Sequence, residues 1–224
     1  MTELTALLQL ADAAFPAGAF AHSFGLETAV VEGGVCDEAT LAAWLQAYLR
    51  GVFAPLDGAA FVLLVRDRVD AGLLDDRLAA AQANAELRRA NAHLARATLA
   101  TFDALGLTSE RLTQYRGAID GGRCEGQHAI AAGLGYDACG IAWGTALTAH
   151  AASTVATLAS AAARAVPLGQ RAVAHARWAL RPALDAAVTR AATARGVEDL
   201  ATGAPAIEID GLRHRRLDGR LFAS

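Results

Sequence analysis

The sequence predicts an all-α fold, a single-domain helical bundle of roughly eight to ten helices with a flexible C-terminal tail. Apolar residues recur at three- and four-residue steps through most of the chain, which is the spacing of a buried helix face. Much of the 54% hydrophobic content is alanine, a strong helix former. No strand-like alternation extends beyond a few residues. We therefore expect one helical domain over residues 1–201 and an extended tail over residues 202–224.

The individual helices follow from this periodicity and from their end signals. The clearest one lies between Asp37, which can cap its first turn, and Phe53. Pro55 is expected to end this helix and Asp57 to cap the next, because proline has no N–H and clashes with the preceding turn. Residues 74–105 predict one long helix or two, and residues 138–163 predict a long central helix. Pro182 is expected to kink or divide the last long helix.

The segment from Thr202 to Ser224 has few apolar residues and several glycines, so it is expected to pack poorly by itself. It contains a basic cluster and ends in Leu221-Phe222. Arginines beside exposed apolar side chains are suited to docking on a partner surface. A frayed chain end is the alternative interpretation.

Composition and charge exclude several classes of function. The net charge of −3 gives no general attraction to nucleic acid, so none is expected as a partner. All 20 basic residues are arginine, which excludes a phosphate-binding loop lysine and Schiff-base chemistry. Residues 138–163 carry no Asp, Glu or Arg, yet their many Ser and Thr residues argue against a membrane span. The apolar N-terminus lacks the pattern of a secretory signal, and the three cysteines are widely spaced, so we expect a cytoplasmic protein with free thiols.

Two residues could serve as nucleophiles, and one pair could begin a metal site. Ser23 lies in a segment that resembles a relaxed nucleophile elbow, but the strand that such an elbow requires is missing. A helical serine or cysteine hydrolase that uses Ser23 or Cys124 is the alternative function. Cys124 and His128 are spaced to share a helical face, but two ligands do not make a metal site. We therefore predict no catalytic residue, no resident metal and no cofactor.

The segment FPAGAFAHSFGLE, from Phe15 to Glu27, resembles the N-terminal signature of the UreF family of urease accessory proteins. The segments 128–133, 164–170 and 220–224, and Pro205 with Glu208, resemble family features in the same order. Two regions depart from the family pattern. Residues 86–91 match it only loosely, and His214-Arg215 stands where the family usually has His-Glu.

The resemblance implies an all-helical, non-catalytic homodimer. It would bind UreD (also called UreH) and recruit the nickel-carrying GTPase UreG to the urease apoprotein for nickel insertion. A chain without a phosphate loop or a ligand cluster fits such an adaptor. Its candidate partner-binding residues are Phe15, Pro16, Gly18, Phe20, His22, Ser23, Gly25, Glu27, Pro167, Leu168, Gly169, Gln170, Arg220, Leu221 and Phe222. For the loop residues a core role stays open, and for residues 167–170 a simple helix stop does.

Overall fold

The computed structural model describes residues 2–166 and 168–223, and over these residues the chain forms helices and no strand. The helices are α1 (Glu3–Leu10), α2 (Leu26–Val31), α3 (Glu38–Tyr48), α4 (Ala59–Val65), α5 (Ala71–Ala81), α6 (Ala85–Ala104), α7 (Glu110–Asp120), α8 (His128–Ala138), α9 (Trp143–Ala165), α10 (Gln170–Ala179), α11 (Arg181–Ala191) and α12 (Pro205–His214). Single turns of 3-10 helix lie at Ala19–Ala21 and Val197–Asp199. The all-α prediction is confirmed, and the number of helices in the described part of the chain exceeds the predicted eight to ten.

A π-helical segment, Leu49–Gly58, joins α3 to α4, so that the chain is helical without a break from Glu38 to Val65. Asp37 caps this helix as predicted, because its side chain accepts the Thr40 N–H at 2.8 Å. The prediction that Pro55 ends the helix is wrong. A π-turn bonds five residues back and is wider than an α-turn, so it can hold a proline ring that would break an α-helix.

The helix Glu38–Val65 forms the centre of the protein. By length and composition it could cross a membrane, but 72% of its most apolar stretch is buried inside the protein, as in the core helix of a soluble protein. Helix α11 packs along the π-helical segment, and α8 packs along α4 and α6. Gly135 of α8 makes room for the ring of Phe102, which an added Cβ would approach to 2.3 Å.

Other helix boundaries agree with the sequence patterns. The stretch from residue 74 to 105 forms two helices, α5 and α6, separated at residues 82–84. The predicted central helix is α9, although it begins at Trp143 rather than near residue 138. Pro182 marks a division, as predicted, because α10 ends at Ala179 and α11 begins at Arg181.

The predicted extended, flexible tail is not confirmed. Residues Pro205–His214 form helix α12, with Pro205 at its first position, and the helix packs on α2. Its buried face consists of Ile207, Gly211 and His214, at helical spacing. Beyond it Phe222 is 5% exposed. The low apolar content of the segment does not predict this packing, because polar contacts hold much of the segment in place.

Candidate docking surface

The two glycines of the N-terminal motif fit tightly against other parts of the molecule. Gly18 and Gly25 have φ angles of +76° and +92°, which favour glycine. A Cβ on Gly18 would lie 3.0 Å from the imidazole of His93 on α6. A Cβ on Gly25 would lie 3.0 Å from backbone atoms of Ile207 and Gly211, so the motif passes directly beneath α12.

Glu27, the last residue of that motif, binds the C-terminal segment with its carboxylate. Its Oε1 accepts the Leu221 N–H at 2.6 Å, and its Oε2 accepts the Phe222 N–H at 3.2 Å. The Nε2 atom of His214 lies 2.8 Å from Oε2. Glu27 is only 3% exposed, so its carboxylate has lost its hydration. These contacts replace the hydrogen bonds that it would make with water.

A second carboxylate completes the group that we call the Glu27 cluster: Glu27, Glu86, His214 and Arg220. Glu86 on α6 lies 3.2 Å from Nδ1 of His214, and its other oxygen accepts from Arg220 at 3.2 Å. Both ring nitrogens of His214 therefore face carboxylate oxygens. The cluster joins α2, α6, α12 and the residues that follow α12.

An arginine at the end of α9 holds the two chain ends together from the other side. The guanidinium of Arg164 lies 3.5 Å from the ring centroid of Phe20 and 4.4 Å from that of Phe222. It also donates to the Phe20 carbonyl at 2.6 Å. The Ala223 N–H donates to the Ala21 carbonyl at 2.8 Å. Phe20 and Leu221 are left 65% and 64% exposed beside these contacts.

The structure thus brings many of the predicted site residues together, but in two different environments. His22, Ser23, Gly25, Glu27 and Phe222 are buried and Phe15 is half-buried, whereas Pro16, Gly18, Phe20, Arg220 and Leu221 are exposed. Pro167 lies outside the described residues. Leu168 is half-buried, and Gly169 and Gln170 are exposed where α10 begins. Arg164 is the main contributor missing from the predicted set, although it lies within a segment that resembles the family.

Both candidate nucleophiles are buried. Ser23 is fully buried, and its hydroxyl lies 3.4 Å from the Glu27 N–H at the start of α2. Burial, with nearby carboxylates such as Asp75, raises the pKa of Cys124 to about 11, which favours the thiol over the reactive thiolate. These environments give no support to the hydrolase alternative.

Cys124 and His128 do not share an environment. The Cys124 sulfur lies near Gly72 and the carboxylates of α5, whereas His128 packs against His150, with ring centroids 5.4 Å apart. Over residues 2–166 and 168–223, no group of three or more His, Cys, Asp or Glu side chains is arranged to hold a metal ion.

A cavity of about 70 Å³, partly open to solvent, lies behind the N-terminal loop. We call it the Asp57 chamber, after one of the polar residues that line it: Tyr48, Asp57, His128 and His150. Burial raises the pKa of Asp57 to about 7. Burial also lowers the pKa of His128 to about 4 and that of His150 to about 3. The sequence pattern does not indicate this chamber, because it predicts a helix cap at Asp57.

Comparison with known proteins identifies the family. The sequence profile of the UreF family matches residues 35–181. The urease accessory protein UreF of Paenarthrobacter aurescens (strain TC1) is 36% identical over 221 residues, which cover 98% of this chain and 97% of that protein. The chain belongs to the UreF family of urease accessory proteins. Another UreF, from Corynebacterium glutamicum (strain R), is 32% identical over 220 residues, or 97% and 96% of the two chains. The resemblance stated from the sequence motifs is therefore confirmed.

Proposed function

We propose that this chain is a cytoplasmic, non-catalytic adaptor that binds UreD (UreH) and recruits the GTPase UreG to the urease apoprotein for nickel insertion. It would act as a homodimer without a resident cofactor, and nickel would be the cargo of the assembly. Holding two partners on one scaffold raises their effective concentration near the empty urease site. Family membership supports this role, since relatives are named as accessory proteins of urease.

The observation that carries the proposal is the surface formed jointly by the two chain ends. Phe20 and Leu221 are large apolar side chains left about two-thirds exposed, on either side of the Arg164 contacts. Exposed aromatic and apolar side chains beside arginine are the composition of an interface hot spot. The buried Glu27 accepts from the backbone N–H groups of Leu221 and Phe222 and so fixes the backbone at this surface. We assign this surface to UreD, with the buried motif residues supporting it rather than touching the partner.

The variant Phe20→Asp/Leu221→Asp tests this assignment. Both side chains are exposed, and Arg164 keeps its bond to the Phe20 carbonyl and its contact with Phe222, so the thermal midpoint should fall only slightly. Binding to purified UreD should weaken by roughly tenfold or more, as expected when central anchors are lost. Isothermal titration calorimetry measures the affinity.

Leu105→Asp is the matched control, because Leu105 is 63% exposed but lies at the far end of α6. It should leave UreD binding unchanged. Equal affinities for the double variant and the control would show that the chain-end surface is not the UreD site.

A further inference from the structure

Helix α10 carries an exposed tryptophan that lies outside the chain-end surface, the surface formed by Phe20, Arg164 and Leu221. Trp178 is 63% exposed, an unusual position for so large an apolar ring. The Arg181 guanidinium stacks 3.4 Å from its ring centroid, and the Arg181 Nε donates to the Trp178 carbonyl at 3.0 Å. The ring is therefore held in place with one side toward solvent. A rigid, exposed tryptophan beside arginine is a strong interface anchor.

Two further exposed arginines lie on the same helix. Arg171 precedes Trp178 by seven residues, which places both on one face of the helix, and Arg177 is exposed beside it. The exposed Ala174, a small residue, lies on the same face about one turn before Trp178. Within residues 2–166 and 168–223, no ion pair involves Arg171, Arg177 or Arg181. Their charges are therefore available to a partner.

The opposite face of α10 is fixed to the core. Val173 and Ala176 are buried, and the helix packs against α3 and α9. The side chain of His175 contacts Glu38 at the edge of the helix. The exposed face is thus a preformed platform, which lowers the entropy lost on binding.

We propose that this Trp178 face, defined as Arg171, Ala174, Arg177, Trp178 and Arg181, is a second docking surface whose occupant is an acidic surface of UreG. The inference rests on the proposed function, since an adaptor needs a site for its second partner that leaves the first site free. The chain-end surface is built on α2, α6, α12 and the end of α9, so the two surfaces use different elements.

Charge decides between the possible occupants. A second copy of the chain, paired about a twofold axis, would bring these arginines against the same arginines, which is repulsive. Nucleic acid is disfavoured by the net charge of −3 and by the small number of arginines on this face. An acidic protein surface pairs with all three arginines while an apolar side chain covers Trp178.

The test uses the full-length chain with purified UreG and purified UreD in separate titrations. Arg171→Glu/Arg177→Glu and, independently, Trp178→Ala should each weaken UreG binding by roughly tenfold or more. The charge reversal should also reduce the salt dependence of UreG binding. Binding of UreD should be unchanged. Arg50→Glu/Arg123→Glu is the matched control, because both arginines are exposed and the net charge changes equally.

Three results would overturn the inference. The first two are UreG binding that survives both α10 variants, and variants that lose UreD binding instead. A change of oligomeric state on size-exclusion chromatography would also overturn it, because a second copy would then occupy the face. If the unmodified chain binds neither UreG nor UreD, the proposed function itself fails. These outcomes separate the two hypotheses.

Discussion

The Glu27 cluster and the Asp57 chamber contain the same types of side chain, a carboxylate and histidine, but use them in opposite ways. In the cluster, Glu27 accepts from His214 and from two backbone N–H groups, so its buried charge is compensated. In the chamber, burial raises the pKa of Asp57 and so favours its neutral form. Buried polar residues thus hold chain segments together in the Glu27 cluster, whereas they line a cavity in the Asp57 chamber.

The difference predicts opposite responses to the removal of a charge. Taking one partner out of a compensated cluster leaves the remaining buried groups without their contacts, which is strongly destabilising. Taking an uncompensated charge out of a cavity removes a desolvation cost. Three sets of variants test this difference.

The largest effect is expected for Glu27→Gln. The variant loses the charge that faces His214 and the acceptor for one of the backbone N–H groups of Leu221 and Phe222. We expect the free energy of unfolding to fall by about 3–5 kcal/mol, because three buried contacts, with His214 and with the N–H groups of Leu221 and Phe222, lose a charged acceptor together. Hydrogen exchange should speed up from α12 to residue 223. Chemical denaturation and exchange mass spectrometry measure the two effects.

Glu32→Gln is the control, because Glu32 forms an exposed ion pair with Arg213 on the same two helices, α2 and α12. Exposed pairs contribute about 0–1 kcal/mol. Similar losses in Glu27→Gln and Glu32→Gln would contradict the view that burial and multiple contacts make the Glu27 cluster the main connection.

Sequence reasoning could find both halves of this connection but not the contact between them. The motif ending at Glu27 and the segment beginning at Arg220 were each recognised, yet they are about 190 residues apart in the chain. A polar contact of that range leaves no periodic signal, unlike the apolar spacing that correctly predicted α3 and α9. The low apolar content of the C-terminal segment therefore predicted a tail. Counting apolar residues does not reveal that His214 is buried between two carboxylates.

The interpretation of Asp57 was wrong for a related reason. Proline normally ends an α-helix, and an Asp two residues later suits a helix cap. The sequence gives no sign that this turn is π-helical. The wider hydrogen bonding depends on packing against α11 and on residues 201–203, which cross the π-helical segment. The Gly203 N–H donates to the Gly51 carbonyl at 2.7 Å, and the Ala201 N–H to the Pro55 carbonyl at 3.2 Å.

The second measurement is Asp57→Asn. The pKa of Asp57 is about 7 in the folded protein and near 3.8 when unfolded, so the folded state holds the proton more tightly. The contribution of Asp57 to stability is therefore fully present below about pH 4 and is lost as the pH rises through 7. The variant should raise the free energy of unfolding by about 2–4 kcal/mol at pH 8 and change it little at pH 4. Urea denaturation at both pH values measures this.

Asp185→Asn, at an exposed position of α11, provides the control and should show no such dependence on pH. A loss of stability in Asp57→Asn at pH 8 would mean that a cationic or hydrogen-bonding partner compensates the carboxylate. The chamber and the Glu27 cluster would then be alike, and the comparison would fail.

The smallest effect is expected for Gly25→Ala, with Gly33→Ala as its control. These variants test whether the close fit of Gly25 against α12 stabilises the C-terminal segment in addition to the Glu27 cluster. Both glycines have positive φ, +92° and +80°, so each alanine should cost about 1 kcal/mol of backbone strain. Around Gly33 nothing lies within 4 Å of an added Cβ, whereas at Gly25 the Cβ would meet the backbone of α12 at 3.0 Å. Gly25→Ala should therefore cost about 1 kcal/mol more than Gly33→Ala, as overpacking does. It alone should speed hydrogen exchange in α12. Equal losses, with α12 equally protected in both variants, would show that the Glu27 cluster holds the C-terminal segment without any need for the close fit at Gly25.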